Sequence, residues 1–219
     1  MFIRPKIFFP KKSYSMLGED LIIKKFFKDK ISGFYVDVGC YHPIEGSNTY
    51  LLYKKRWNGI NIDVNQFSIN LFNMARKDDL NINLAISNKK KKVKLYYRKK
   101  INMLNTTKKE IAKIYFQKGF NKRIVNANTL NSVLRKSKYK NRKIDFLNID
   151  VEGEELNVLR SLNFNQYKPK LICIEIHNQE DTNNQHAHYL QKNLIYKFLI
   201  KKKYEIIWHK EFSFIFKKK

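Results

Sequence analysis

The fold of this chain is most constrained by a regular alternation between short apolar segments and longer amphipathic ones. The short segments are rich in β-branched and aromatic residues, and they lie at residues 34–38, 59–63, 81–86, 144–149 and 171–176. Segments with helical spacing lie at residues 49–56, 67–75, 154–162 and 187–200. Strands that alternate with helices become parallel neighbours through right-handed crossovers. The sequence therefore predicts an α/β fold with a mostly parallel, doubly wound sheet and helices on both faces.

The C-terminal end of the chain departs from this alternation. Residues 204–208 and 212–216 are both strand-like, and the short spacer between them predicts a closing antiparallel hairpin. The 219 residues contain no internal repeat and no Gly/Ser-rich or Pro-rich linker. We therefore expect a single domain, with residues 1–32 as an N-terminal helical extension and residues 33–219 as a Rossmann-like core. The middle of the chain adds an expected edge strand at 93–97 and helices at 108–118 and 129–136.

The chain is strongly basic, with 45 Lys and Arg against 19 Asp and Glu and a net charge of +26. Only eight of the 45 are Arg, the residue best suited to bidentate phosphate recognition. Lys, Asn and Ile share A/T-rich codons, so a biased genome accounts for much of the excess. Codon bias explains the distribution of charge along the chain less well, because Glu110 is the single acid between residues 80 and 144. That stretch, with its lysine run at 89–92, predicts either a solvated surface or a basic face beside a functional site.

Several observations bear on the compartment. The two cysteines, Cys40 and Cys173, lack the spacing of a metal site or of a disulfide framework, which fits a reducing environment. No apolar run approaches the roughly 20 residues that span a bilayer. The opening residues 1–12 have no signal-peptide core or cleavage pattern. We therefore expect a cytoplasmic protein without a transmembrane segment, although the basic segment 189–204 is compatible with peripheral membrane contact.

Chemistry-bearing residues follow the ends of the predicted strands. Asp37 and Gly39 close the first strand, Asp63 the second, and Asp150 the fourth. Ligands of doubly wound sheets bind outside the carboxyl ends of the strands, so these residues are expected to share one site. An acid after the second strand can accept ribose hydroxyls, whereas each acid alone is equally explained as a capping group. Acids at the ends of three predicted strands therefore predict a nucleoside-containing ligand.

The turn after the first predicted strand lacks a glycine-rich motif, which limits the kinds of ligand that can bind there. The segment after the first strand has no GxGxxG fingerprint, which disfavours a dinucleotide and with it a nicotinamide oxidoreductase. A closing hairpin after an α/β sheet is typical of methyltransferases. An acid near the first strand can also receive the ammonium group of a methionine moiety.

Three sequence blocks carry a resemblance to a known family. They are YVDVGCYHPIEGSNTYLL, WNGINID and KIDFLNIDVEGEELNVLRSL, flanked by SMLGEDLII and PKLICIEIH. Together they resemble FkbM-type S-adenosylmethionine-dependent methyltransferases over residues 15–177. The resemblance implies a class I methyltransferase fold, S-adenosylmethionine as the cofactor, and O-methylation of a sugar or related metabolite. The turn at His42 and Pro43 and the residues after Asp63 depart from the common family pattern.

The resemblance also assigns residues to the cofactor. Asp37 and Gly39 match the first cofactor motif, Asp63 the ribose acid, and residues 150–153 the acidic loop that faces the cofactor. We expect Ala85 and Ile86 to form an apolar slot for adenine. The full set of predicted cofactor-binding residues is Asp37, Gly39, Cys40, Tyr41, Asn48, Asp63, Ala85, Ile86 and Asp150.

A hydroxyl acceptor would benefit from a general base. The candidates are Asp150, Glu175 and His177, the last two lying two residues apart and so on one side of the fifth strand's end. His42 is a further candidate, and a structural role is the alternative for each histidine. The sequence shows no convincing set of metal ligands and no metal is predicted, but Asp150 and Glu175 leave a carboxylate-bound Mg²⁺ open as an alternative.

Two other functions stay open at this point. The charge and the interleaved aromatic residues allow an RNA methyltransferase acting on ribose, although two acids in the segment after the fourth strand disfavour nucleic acid. A non-enzymatic basic module that binds an anionic membrane or nucleic acid is the other alternative. The acceptor we expect is a small molecule or a glycan, and the acid-poor middle of the chain suggests an anionic one.

Overall fold

The computed structural model describes residues 13–99, 102–177 and 186–219. Its strands are β1 (Phe34–Val38), β2 (Asn58–Asp63), β3 (Leu80–Asn83), β4 (Ala85–Ile86), β5 (Lys91–Tyr97), β6 (Asn121–Asn128), β7 (Phe146–Ile149), β8 (Leu171–Glu175), β9 (Tyr204–Lys210) and β10 (Ser213–Lys218). Its helices are α1 (Glu19–Phe26), α2 (Tyr50–Lys54), α3 (Gln66–Ala75), α4 (Lys109–Tyr115), α5 (Leu130–Lys136), α6 (Glu155–Arg160), α7 (Phe164–Tyr167), α8 (His186–Lys192) and α9 (Leu194–Lys201).

A seven-stranded sheet forms the centre of the fold, in the order β3-β2-β1-β7-β8-β10-β9. The first five strands of this order run parallel. The last two form an antiparallel hairpin, and β10 pairs antiparallel with β8. The switch in strand order lies between β1 and β7, which is where a doubly wound sheet opens its ligand crevice. The predicted α/β architecture with its closing hairpin is confirmed.

Alternating side chains of the sheet supply two apolar layers. On β1, Phe34, Val36 and Val38 join a large cluster with residues of α5, α6 and α9. Tyr35 points to the other face, into a cluster with Ile23 of α1 and Leu52 of α2. Period-two alternation of fully buried residues places helices on both sides of the sheet. The burial holds the strand ends, and the loops that follow them, in fixed positions.

A second, three-stranded sheet lies beside the first in the order β4-β6-β5. It corrects two expectations. The predicted third strand at 81–86 is split, because the chain leaves the main sheet after Asn83 and Ala85–Ile86 pair with Ala127 and Asn128 of β6. The predicted edge strand at 93–97 pairs with β6 and not with the main sheet. Strand β6 was not expected, because most of its residues are solvent-exposed and its sequence lacks apolar alternation.

The helices follow the expected positions with two differences. The segment predicted as one helix at 187–200 is divided into α8 and α9 at Asn193. The Asn193 side chain caps α9 by accepting N–H bonds from Ile195 and Tyr196. The short helix α7 (Phe164–Tyr167) was not expected from the sequence. Among the described residues, no helix is both long and apolar enough to cross a membrane. Residues 1–12 of the predicted N-terminal extension lie outside the described residues.

Candidate functional site

A pocket opens at the carboxyl ends of β1, β2 and β7, the edge at which doubly wound sheets bind their ligands. We call it the strand-end pocket. All nine residues that the sequence assigned to a cofactor line it: Asp37, Gly39, Cys40, Tyr41, Asn48, Asp63, Ala85, Ile86 and Asp150. The structure thus brings the predicted set together, and their contact with a cofactor stays a prediction.

Gly39 is required by the protein's own backbone. Its φ is +82°, a conformation that disfavours side chains, and a Cβ placed there would lie 1.6 Å from the carbonyl oxygen of Asp150. The Gly39 N–H donates to the carbonyl of Ile62 at 2.8 Å. The glycine therefore lets the ends of β1, β2 and β7 meet, which closes the floor of the strand-end pocket.

Asp37 lies beneath that floor and is already engaged within the protein. One carboxylate oxygen accepts from the Thr49 hydroxyl at 2.7 Å, and the other accepts from the Asn148 side chain at 2.9 Å. Its side chain is almost completely buried, which raises the pKa of the carboxyl. Asp37 can act on a ligand through Asn148, whose side-chain oxygen also accepts from Asn48 at 2.9 Å.

Asn48 has an acceptor that the protein leaves unused. Its Oδ1 atom is buried and has no hydrogen-bond partner among the described residues. A buried amide oxygen without a partner is costly, so a ligand group that donates a hydrogen bond is the expected complement. An ammonium group such as that of methionine meets this requirement.

Asp63 lies on the opposite side of the strand-end pocket. Its two oxygens accept backbone N–H bonds from Tyr41 at 2.9 Å and from Asn65 at 2.7 Å. Burial raises the pKa of this carboxyl to about 6 despite those bonds. Each carboxylate oxygen has a second lone pair, so Asp63 can still accept from two ligand hydroxyls. Beside it, the apolar part of the wall is formed by Leu84, Ala85, Ile86 and Leu95.

Cys40 and Tyr41 contribute chiefly through their backbone. The Cys40 side chain packs against Ile69 and Phe72 of α3, and burial raises the pKa of its thiol. Tyr41 adopts a φ of +51°, which directs its N–H to Asp63. A tight turn therefore presents these two residues to the strand-end pocket.

Arg76, at the end of α3, holds this loop in place and was missed in the sequence. It is completely buried. Its guanidinium donates to the carbonyl of Pro43, to Ser47 Oγ at 2.8 Å and to Thr49 Oγ1 at 2.8 Å. A lone arginine among many basic residues gives no sequence signal, although its function here depends on the planar fork of donors.

Beyond Asp150 a larger space of about 1,490 Å³ opens to solvent, which we call the outer cleft. Asp150 lines both spaces, as do Tyr41, Asn102 and Met103, so the two spaces adjoin along these residues. The residues lining the outer cleft include Tyr115, Phe116 and Phe212, with Met103 and Leu104, the acids Glu152 and Glu175, His177, and the basic Arg98 and Lys99. The three predicted catalytic residues, Asp150, Glu175 and His177, therefore face one cavity.

Acidic groups crowd the inner wall of the outer cleft. His177 Nε2 donates to Glu175 Oε2 at 3.0 Å, and this hydrogen bond raises the pKa of the imidazole. Glu152 accepts from the Tyr115 hydroxyl at 2.8 Å, and burial raises its pKa to about 7. Burial and the neighbouring carboxylates, Glu175 foremost, raise the pKa of Asp150 well above its usual range. Clustered shifts of this kind are characteristic of functional sites.

His42 has a structural role in this arrangement. Its Nδ1 atom accepts backbone N–H bonds from Ile44 at 3.2 Å and Glu45 at 2.9 Å, which stabilises the turn that follows Tyr41. Burial lowers its pKa. His42 lines neither the strand-end pocket nor the outer cleft.

The basic stretch is only partly near the site. None of the lysines at 89–92 lines the outer cleft, and Lys91 lines a separate pocket with Lys108 and Glu154. Arg98 and Lys99, just after β5, supply the positive charge of the cleft wall. An anionic acceptor would therefore meet these two residues and not the lysine run.

The family comparison agrees with this geometry. The family model of the methyltransferase FkbM domain matches residues 37–203, which include the end of β1, the strand-end acids and the acidic wall of the outer cleft. A comparison with curated protein sequences gives no match for this chain. Because the family model spans most of the chain and all of the predicted site, the chain belongs to the FkbM methyltransferase family and is a methyltransferase.

Proposed function

We propose that this methyltransferase uses S-adenosylmethionine to methylate a hydroxyl of a sugar or related small molecule. The observation that carries the proposal is the position of Asp150, which lines the strand-end pocket and the outer cleft at once. A donor held in the first and an acceptor held in the second would meet beside this carboxylate. Alignment of two bound reactants can supply a large part of the rate enhancement of such a transfer.

The strand-end pocket has groups that fit each part of the cofactor. Asn48 Oδ1, which lacks a partner, suits the ammonium group, and the spare lone pairs of Asp63 suit the ribose hydroxyls. The apolar wall near Ala85 and Ile86 suits adenine. When bound, S-adenosylmethionine supplies an activated methyl group on a sulfonium cation.

The outer cleft has groups suited to a hydroxyl acceptor. Either Asp150 or the Glu175–His177 pair, all of which line this cleft, would take the proton that the hydroxyl loses. The partly exposed ring of Phe212 offers an apolar surface for a sugar ring. Arg98 and Lys99 would favour an acceptor that also carries a negative group.

The carboxylates argue for a small acceptor over nucleic acid. Asp150, Glu152 and Glu175 all line the outer cleft, where they would repel a phosphate backbone. A glycan or metabolite with few charges avoids most of this repulsion. The acceptor we propose is therefore a small molecule or glycan whose anionic group lies toward Arg98 and Lys99.

Calorimetric titration with S-adenosylmethionine and S-adenosylhomocysteine tests the cofactor assignment. We expect micromolar binding of both, weakened about 10–100-fold by Asp63→Ala because the ribose loses a charged acceptor. Asp78→Ala removes an exposed acid that lines neither cavity and should leave the affinity unchanged. Absence of binding to a folded sample would overturn the proposal.

A further inference from the structure

Glu152, Glu175 and His177 bring three potential metal ligands together at the inner wall of the outer cleft. Glu152 lies in the loop after β7, Glu175 ends β8, and His177 follows two residues later. One ligand atom from each residue lies within 4.8 Å of the other two. Two carboxylates and one imidazole form a mixed donor set that hard and borderline divalent cations accept.

Apart from His177 itself, no basic side chain of the described residues pairs with the acids around these three residues. Among the described residues, Asp150, Glu152, Glu155 and Glu175 make no ion pair with Lys or Arg, although the chain carries 45 of them. By contrast, Glu154 in the same loop pairs with Lys108 at 2.6 Å. Buried carboxylates that crowd one another without a counter-charge are costly. A bound cation would supply such a counter-charge.

Neighbouring residues orient the three candidate ligands. The Tyr115 hydroxyl donates to Glu152 Oε2 at 2.8 Å, and Phe212 stacks on the His177 ring with centroids 5.4 Å apart. Contacts of this kind commonly fix metal ligands. The His177 side chain is 41% exposed, so the remaining coordination positions of a cation would be open to the outer cleft.

We propose that Glu152, Glu175 and His177 bind a divalent cation, Mn²⁺ fitting the donor set well, which holds the acceptor hydroxyl beside Asp150. The inference rests on the proposed function, because it assigns the cation to the same acceptor. In the bound state the His177 and Glu175 side chains would both turn to the cation in place of their mutual hydrogen bond. A bound cation lowers the pKa of a coordinated hydroxyl, and Asp150 would receive the proton. The sequence alone predicted no metal.

The test is a titration of metal-free, untagged protein with Mn²⁺. Binding is measured as the decrease in the electron paramagnetic resonance signal of free Mn²⁺. We expect one saturable site per chain, weakened at least about tenfold by Glu175→Gln and by His177→Ala, because each removes one of three ligands. Glu110→Gln, at an exposed acid on α4, is the matched control and should bind Mn²⁺ unchanged. S-adenosylhomocysteine affinity, measured on the same samples, should be the same in all of them.

The outcomes separate this inference from the proposed function. S-adenosylhomocysteine binding without saturable Mn²⁺ binding overturns the metal site and leaves the proposed cofactor in place. A site whose affinity is unchanged in both Glu175→Gln and His177→Ala overturns the ligand assignment. Mn²⁺ binding lost in both variants, with no S-adenosylhomocysteine binding to wild-type protein, supports the site and overturns the proposed function. Should Glu175→Gln fail to fold, His177→Ala, at an exposed side chain, decides the question alone.

Discussion

The strand-end pocket and the outer cleft meet at Asp150 but balance their acidic groups in different ways. In the strand-end pocket, Asp37 and Asp63 each use both carboxylate oxygens to accept hydrogen bonds from the protein. In the outer cleft, the side chain of Asp150 makes no such bond in the described structure, and Glu175 has His177 as its partner. The first site is organised before a ligand arrives, and the second depends on a ligand to complete it.

This difference suggests a division of work. A prearranged pocket loses little freedom when the cofactor binds, so its residues should matter for stability and for cofactor affinity alike. The unbalanced cleft should matter for turnover and contribute little to folding. The division is supported if variants in the strand-end pocket lower the stability of the protein and variants in the outer cleft lower only turnover. It is contradicted if cleft variants lower stability and pocket variants lower only turnover.

The largest effect is expected for Gly39→Ala. A methyl group there collides with the Asp150 carbonyl and occupies a left-handed backbone position, so we expect a loss of about 3 kcal/mol or more in the free energy of unfolding. Gly119 also has a positive φ, but no atom lies within 4 Å of the position that a methyl group would take there, so Gly119→Ala should cost only about 1–2 kcal/mol. Urea unfolding measures both, and equal losses would show that the close approach of β1 and β7 is unimportant.

Arg76→Lys should be nearly as harmful to the strand-end pocket. A lysine cannot reproduce the fork that holds Pro43, Ser47 and Thr49, so we expect a loss of about 3 kcal/mol in unfolding free energy together with weaker cofactor binding. Arg135→Lys, at an exposed position on α5, should cost less than about 0.5 kcal/mol. Unchanged stability in Arg76→Lys would mean that the loop is held by other contacts.

The same comparison explains how far the sequence could predict the structure. Acids at the ends of apolar strands are visible as a pattern, because the strand period and the position of the ligand edge are general rules. All nine predicted cofactor residues accordingly line one pocket. Arg76 was missed because its contacts reach back some 30 residues to a loop of irregular structure.

The outer cleft was less predictable for a physical reason. Its aromatic wall includes Tyr115 and Phe116, which lie beside the small three-stranded sheet. Strand β6 of that sheet is mostly exposed and lacks the apolar alternation from which a strand can be predicted. Glu152 and Glu175 come together only because β7 and β8 are adjacent in the sheet. Glu152 therefore resembled a capping residue in the sequence, and its place beside His177 required the strand order.

His177→Ala should separate turnover from cofactor binding. We expect turnover at saturating substrates to fall about 10–100-fold, the usual contribution of a group that handles a proton or a metal-bound hydroxyl. S-adenosylhomocysteine affinity should not change, because His177 does not line the strand-end pocket. His209→Ala, on β9, provides a histidine control outside both cavities. Wild-type turnover in His177→Ala would refute its role.

The affinity for S-adenosylhomocysteine should depend on pH through Asp63. Burial sets the pKa of this carboxyl at about 6, so it is ionised at pH 7.5 and mostly protonated at pH 5. The protonated form is the poorer acceptor for ribose hydroxyls, and we expect binding to weaken by up to about tenfold at pH 5. Calorimetry across this range measures the effect, and Asp63→Asn should flatten it. A flat wild-type profile would remove Asp63 from the ribose site.

The smallest effect concerns the charge of the acceptor. Replacing Arg98 and Lys99 with serine removes the positive groups of the outer cleft, so an anionic acceptor identified by screening should show a KM raised about threefold, and more at low salt. The same change at Lys89 and Lys90, which are exposed and outside the cleft, should leave KM unchanged. If both double variants raise KM equally, the acceptor responds to the net charge of the protein. If KM rises only in the Arg98 and Lys99 double variant, the outer cleft recognises its ligand through local contacts, as the strand-end pocket does.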